Sequence, residues 1–322
     1  MGSSSAPAVS VIVAAYNAAD TIGRALASAQ EQTLENIEIL VVDDASTDAT
    51  REVVRRVAEA DPRVRVVQLA RNGGPGAARN AGIEAARGAW VATLDADDRY
   101  LPTRLEGLLA LAAETGSEMV ADNLALDGAP DSRGFLLERS GGALEIDVLA
   151  FVRSNRGARG QGRVSLGFLK PVVRASFLAD HGVRYPPVRL AEDYFFALGC
   201  LTAGATWTVT REPTYRYAVR GTSLTATYRP ADVEAVALLD LELAQTPGVL
   251  ARPALLREVR RHGRAAHDAA VWTEFVLAIR SRDARVAWRT ATAGNRAARV
   301  VATRGPTAVA RAVGRRLRRA QS

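Results

Sequence analysis

The chain has 322 residues, 48% of them hydrophobic and 24% charged, a globular composition with room for one large domain or two ordinary ones, which excludes a disordered or fibrous chain. Its single cysteine, Cys200, excludes an internal disulfide and a cysteine-based zinc site and points to an intracellular protein, and His181, His262 and His267 fit no metal-ligand spacing. The net charge of +7 is uneven: residues 231–322 carry 17 arginines against 8 acidic residues, whereas residues 1–230 sum to −2.

From the N-terminus, MGSSSAPA lacks the charged and apolar regions of a signal peptide, and residues 1–8 are expected to be a disordered lead. Val9–Ala14 is a β-branched run suited to a buried strand, followed by a turn at Tyr16-Asn17 and a helix reaching about Gln30. Ile37–Val42 predicts a second buried strand ending in Asp43-Asp44. A helix to about Ala60 is stopped by Asp61-Pro62, and Val64–Leu69 predicts a third strand. Arg71–Ala81 opens as a Gly-rich loop and passes into a helix ending at Gly88. Trp90–Leu94 is the fourth strand and runs into Asp95-Ala96-Asp97-Asp98. Such alternation predicts an α/β domain with a parallel sheet covered by helices on both faces.

After Pro102 the pattern loosens. A helix is predicted over 103–115, a strand over 118–125, a polar excursion over 127–142 and a helix over 143–152. The Gly- and Arg-rich stretch 154–163 suits a loop that closes over a phosphorylated ligand. A strand over 164–173, a short helix over 174–181, a helix over 192–203 and short strands to about Val219 follow. From Ala231 three or four helical segments are expected. The domains are therefore 9–230, divided into 9–102 and 103–230, and a basic helical region over 231–322. No apolar run reaches the roughly 18 residues needed to span a bilayer.

Ligands of open parallel sheets sit beyond the carboxyl ends of the strands, so Tyr16-Asn17, Asp43-Asp44, Arg71–Arg79 and Asp95–Asp98 should meet at one rim. Three carboxylates in Asp95–Asp98 repel one another unless a cation neutralises them, and a hard divalent ion suits oxygen ligands of this kind; an acidic cap before Leu101-Pro102 is the plainer alternative. Asp43-Asp44 suits a base N–H or ribose hydroxyl, or simply a helix cap. Asn72–Gly76 offers backbone N–H groups that favour an anion. Neither a Walker A loop nor GxGxxG is present, which removes the main support for a P-loop NTPase or a dinucleotide oxidoreductase.

These motifs, in this order and at this spacing, resemble the family 2 glycosyltransferases of the GT-A fold. The resemblance runs from about Val9 to Pro102 and continues more weakly through GFLKPVVRASFLADHGVRYPPVRLAEDYFFALGCLTAGA, which looks like the bacterial exopolysaccharide branch of the succinoglycan type. It implies a Rossmann-like, mostly parallel sheet with a C-terminal helical extension, and a UDP-sugar donor bound by Ala15, Tyr16, Asn17, Asp44, Gly76, Arg79, Asp95, Ala96 and Asp97. The Tyr16-Asn17 loop and Asp44 would hold the uracil and Asp95 the ribose. Asp97 with Asp98 would ligate Mg²⁺ or Mn²⁺, although DADD allows two registers. Glu192-Asp193 matches the family's acidic pair, with Asp193 as general base and Glu192 as an acceptor or structural contact. Direct displacement at the anomeric carbon needs such a base, because a hydroxyl is a poor nucleophile at neutral pH.

The resemblance thus implies an inverting, metal-dependent hexosyltransferase, with UDP-glucose as donor and a lipid-linked saccharide as acceptor. Val309, Val313 and Leu317 recur among Arg311, Arg315, Arg316, Arg318 and Arg319 as a basic amphipathic helix suited to an anionic membrane surface. The expected location is cytoplasmic, peripheral on the inner membrane. No aromatic residues interleave with these arginines, so nucleic acid is not an expected partner. Cys200, Trp90 and Trp207 read as core, His181 as a helix-end residue, and Arg220–Ser223 as either a turn or a diphosphate cover. The alternatives are a nucleotidyltransferase on a similar sheet and a non-catalytic sugar-nucleotide-binding protein at the membrane.

Overall fold

The computed structural model describes residues 6–128, 141–155, 165–218 and 229–303. Mostly apolar runs give inner strands buried on both faces, the edge strand over 64–68 is partly exposed, and the segments between the strands, polar on one side, give the covering helices. The first half follows in order as β1 (Val9–Ala15), α1 (Ile22–Gln30), β2 (Ile37–Asp43), α2 (Thr50–Ala60), β3 (Val64–Gln68), α3 (Pro75–Ala85) and β4 (Trp90–Asp95). Every residue of β2 is buried. These four strands lie parallel in the order β3-β2-β1-β4. Their register places Ala15 beside Asp43, Ala14 beside Asp95 and Asp43 beside Gln68, so the carboxyl ends form one row. Strand order reverses at β1, the position beyond which open sheets of this kind bind their ligands.

The rest of this unit extends the sheet with β5 (Arg99–Tyr100), α4 (Arg104–Thr115), β6 (Met119–Leu126), β7 (Leu144–Glu145), α5 (Val148–Asn155), β8 (Val172–Arg174), α6 (Ala175–Asp180), α7 (Glu192–Ala203) and β9 (Trp207–Tyr217). The sheet continues β4-β8-β6-β9-β5, with β8 antiparallel to both neighbours and β6 parallel to β9. Three predicted elements differ, the first being the short strands expected to about Val219, which are one eleven-residue strand, β9. The helix expected over 143–152 begins instead with β7, and α5 starts later because the Asp147 carboxylate accepts from the N–H groups of Leu149 and Ala150. The strand expected over 164–173 is a single 3₁₀ turn at Leu166–Phe168 followed by the three residues of β8. Ser165 caps that turn by accepting from Gly167 N–H, and Pro171 has no N–H to give a ladder. The closing loop expected over 154–163 and the turn at Arg220–Ser223 lie largely or wholly outside the described residues, as does most of the 127–142 excursion.

Trp207 and Cys200 are fully buried, and burial pushes the Cys200 thiol up to about 12. A buried ion pair joins α4 to β6: Arg104 Nη2 donates to Asp122 Oδ1 at 2.7 Å, with both side chains fully enclosed. The guanidinium lies over the rings of Tyr100 and Tyr215, 4.3 and 5.2 Å from their centroids. Asp122 also accepts from Thr214 Oγ1.

Residues 1–223 and 224–322 form two compact units. The second is helical, with α8 (Pro230–Leu243), α9 (Pro247–Leu250), α10 (Pro253–Arg280) and α11 (Ala284–Thr292). The long α10 packs against α8 and α11, and a buried contact joins His262 Nδ1 to Asp240 Oδ2 at 2.6 Å. Among the described residues no helix is long and apolar enough to cross a membrane. The basic amphipathic helix expected around Val309–Arg319 lies outside them.

Candidate active site

The loops beyond β1 and β2 are tied to each other before any ligand is considered. Asn17 N–H donates to Ser46 Oγ, and Asn17 Oδ1 accepts from Thr47 N–H at 2.8 Å. Asn17 and Ala45 both have positive φ, 48° and 59°, an uncommon backbone state that concentrates where geometry is over-determined. Tyr16 stands half exposed beside them, and Ala15 is buried at the strand end.

The Gly-rich loop holds an anion, and the protein supplies it. Asp44, itself buried, accepts from Gly73 N–H at 2.7 Å and Gly74 N–H at 2.8 Å, one on each carboxylate oxygen. The structure therefore shows Asp44 anchoring the start of α3. Gly74 begins that helix at φ 84°, the left-handed region where glycine is unstrained. Gly76 serves packing: a Cβ there would lie 2.8 Å from the Pro186 carbonyl oxygen and 3.4 Å from Tyr185 Cβ. Close approach of α3 to the segment leading into α7 depends on that missing methyl. Gly76→Ala should therefore cost about 1–3 kcal/mol and lower turnover by roughly tenfold through displacement of α7, read by thermal unfolding and initial rates.

Arg79, one turn into α3, is the hub of the site. Its side chain is only 4% exposed and reaches three carboxylates: Asp95 Oδ1 at 2.7 Å, Glu192 Oε1 at 2.9 Å and Asp193 Oδ1 at 3.1 Å. A second cation, Lys170, sits 2.8 Å from Asp95 Oδ2 and 2.6 Å from Asp193 Oδ2. Two cations thus gather the end of β4 and the first turn of α7, about a hundred residues apart in sequence. Burial opposes charge on both Arg79 and Lys170, but Asp193 and Asp95 outweigh it and hold both cations above their ordinary range. Burial likewise opposes charge on Asp95, and there Lys170 and Arg79 win, holding the carboxyl well below the carboxylate range. At Glu192 the balance reverses: burial and then the Asp193 charge raise its carboxyl.

Asp98 faces inward. Its Oδ2 accepts from Tyr215 Oη and its Oδ1 from Ala218 N–H, each at 2.7 Å. Burial and the Asp95 charge push its carboxyl up to about 7. Asp97 follows Asp95 in the turn after β4 and is half buried, and Ala96 is buried beside it. Among the described residues no group of three or more His, Cys, Asp or Glu forms a metal cage. One aspartate completed by phosphate oxygens and water is nevertheless a donor set that Mg²⁺ and Mn²⁺ accept, and Asp97 fits it.

Residues 10–164 match the family described as Glycosyl transferase family 2. The succinoglycan biosynthesis protein ExoO of Rhizobium meliloti is 38% identical over 238 residues, covering 73% of this chain and 67% of that protein. ExoU of the same organism is 37% identical over 264 residues, covering 81% and 75%. The chain belongs to glycosyltransferase family 2. Solved structures agree on the GT-A fold of this glycosyltransferase. S. aureus TarS in complex with UDP-GlcNAc superposes with a TM-score of 0.64 at 20% identity, over 88% of this chain and 90% of that one. A Pyrobaculum calidifontis mannosyltransferase in complex with GDP-Man and Mn²⁺ gives 0.56 at 23% identity, over 90% and 80%.

The glycosyltransferase brings Arg79, Asp95, Glu192 and Asp193 into direct contact, and sets Asp44 and Asp98 in neighbouring networks of their own. Three contributors escape a reading of the sequence: Lys170, Tyr215 and Arg104. Tyr215 takes its role from Asp98, 117 positions away, and nothing local announces it. Lys170 did carry a signal, being the only lysine among 42 basic residues.

Proposed function

We propose that this glycosyltransferase is an inverting, metal-dependent hexosyltransferase of bacterial exopolysaccharide synthesis, moving glucose from UDP-glucose to a lipid-linked saccharide. The observation that carries the reading is the meeting of Asp95, at the donor-side strand end, with the Glu192-Asp193 pair through Arg79 and Lys170. ExoO and ExoU, as succinoglycan biosynthesis proteins, support the pathway, and the complexes of TarS with UDP-GlcNAc and of the mannosyltransferase with GDP-Man and Mn²⁺ support the ligand classes.

In this reading the uridine lies against the Ala15–Asn17 loop and the loop that Asp44 anchors, and Asp95 receives the ribose hydroxyls. Gly76 and Arg79 keep α3 against that end of the crevice. Asp97 would hold the metal ion, which when bound stabilises negative charge on the departing diphosphate as a Lewis acid. An acceptor hydroxyl oxygen attacks the anomeric carbon from the face opposite the diphosphate. The new C–O bond forms as the bond to the β-phosphate oxygen breaks, and the hydroxyl proton passes to the Asp193 carboxylate. Configuration inverts in the single displacement. Glu192, with its raised carboxyl, serves as a hydrogen-bonding neighbour on the acceptor side.

Association with an anionic membrane through the basic C-terminal residues belongs to the same proposal, and the family assignment sets the nucleotidyltransferase alternative aside. A thermal-shift series with UDP, UDP-glucose and UDP-GlcNAc, each with and without Mn²⁺, tests the donor and metal together. Stabilisation by UDP-glucose should need the ion and vanish with EDTA, with about 3 kcal/mol expected at a hundredfold excess over Kd. Equal shifts without the ion would refute metal dependence.

A further inference from the structure

We propose that Lys170 is the positioning residue of the general base, locking Asp193 to the donor-side carboxylate Asp95 in one fixed geometry. The inference rests on the reading of Asp193 as base. Its physical ground is how α7 begins. The residue before Glu192 is Ala191, which has no side chain to cap the helix and adopts φ 64°, costly for a residue other than glycine. No side chain caps this helix start, and the side chains of the acidic pair are held instead by the two cations.

Lys170 is suited to that task because it is fixed at both ends. Its backbone carbonyl accepts from Arg104 Nη2 at 2.7 Å, and Arg104 is locked in its enclosed pair with Asp122. Its ammonium, on a side chain 6% exposed, closes on Asp193 and Asp95 together. The side chain thus runs from a backbone held by the Arg104–Asp122 pair to the two carboxylates at its ammonium. Arg79 grips the opposite oxygen of each carboxylate, so the two cations clamp Asp95 and Asp193 from both sides.

The sequence sharpens the point. Every other basic residue here is arginine, and Lys170 alone is lysine. A compact ammonium makes point contacts to two carboxylates in a small space, whereas a planar guanidinium brings a wider fork and different donor directions. Arginine serves at position 79, where three carboxylates fan around it, and lysine at position 170, where two converge.

The single lysine makes the test direct. Lysine labelled with ¹³C at Cε gives one side-chain resonance in the full chain, and that resonance should shift in Asp193→Asn, where the ammonium loses one of its two carboxylates. Kinetically, Lys170→Met should lower kcat for UDP-glucose about 100-fold, the scale of a misplaced base, while KM for the donor moves less than about fivefold. Lys170→Arg should restore less than a tenth of the loss. An unmoved resonance in Asp193→Asn overturns the proposal, and so does a Lys170→Met kcat within about threefold of wild type, or a loss confined to KM. Should Lys170→Met not fold, the resonance and Lys170→Arg still decide. Full turnover by Asp193→Asn would instead remove the base reading and leave the clamp geometry to be judged by the resonance alone.

Discussion

Asp193→Asn should lower kcat by about 10³-fold while leaving UDP binding nearly intact. The expectation combines two observations that separate chemistry from binding. Asp193 opens α7 and meets the cations Arg79 and Lys170, whereas the loops assigned to the uridine end are tied together by Asn17, Ser46, Thr47 and Asp44. Asparagine keeps the shape of aspartate, so Arg79 retains Asp95 and Glu192, and Lys170 retains Asp95. What disappears is the proposed proton acceptor, and general base catalysis contributes on the order of 10²–10⁴. The measurement is UDP release from UDP-glucose with a saccharide acceptor, beside UDP affinity by calorimetry. A kcat within tenfold of wild type would move the base elsewhere; unchanged kcat with lost UDP affinity would make Asp193 a donor ligand.

The second large effect is expected at Arg79→Met, and it falls on stability as well as rate. Removing one partner from a buried ion pair strands the other, at a cost of roughly 3–5 kcal/mol. Here one guanidinium serves Asp95, Glu192 and Asp193, and Lys170 remains as their only nearby cation among the described residues. Unit 1 should therefore unfold about 10 °C lower in calorimetry, with activity lost even below that transition. Arg79→Lys should recover little, because an ammonium cannot extend a planar fork to three acceptors. An unfolding temperature within 2–3 °C of wild type, roughly 1 kcal/mol on this scale, would show that the three carboxylates reorganise without the hub.

The half of the fold that was legible, β1 through β4, was legible for a physical reason. β1, β2 and β4 are enclosed on both faces and so are largely apolar, with sharp ends and the polar residues just beyond them at one rim; β3, at the edge, is partly exposed and reads from its β-branched content. The motif at Asp95–Asp98 could be placed there, but which carboxylate faces the ligand could not, because that depends on Tyr215 and Ala218 claiming Asp98. The Gly-rich loop reads in sequence as N–H groups free for an anion, whereas in the structure the Gly73 and Gly74 N–H groups donate to Asp44, a pairing that only the packed loops reveal. In the second half, VSLGFLKPVV has the apolar content of a strand. Its conformation is decided elsewhere: a Cβ at Gly167 would lie 3.1 Å from Tyr194 Cβ, and Pro171 interrupts the ladder. Arg104 looks misplaced at the start of a helix, where a cation opposes the dipole, until Asp122 is seen beneath it.

The placement of β8 has a practical corollary for anyone who dissects this protein. The stretch that carries the family signature stops at residue 164, but β8 lies between β4 and β6 and β9 lies beyond β6. A fragment trimmed to the signature would therefore lose a plank from the middle of the sheet, leave β6 with no neighbour, and discard Lys170, Glu192 and Asp193 together. The smallest autonomous piece is set by how the strands interleave in space, and boundaries drawn from motif coverage would cut through both the sheet and the proposed active site.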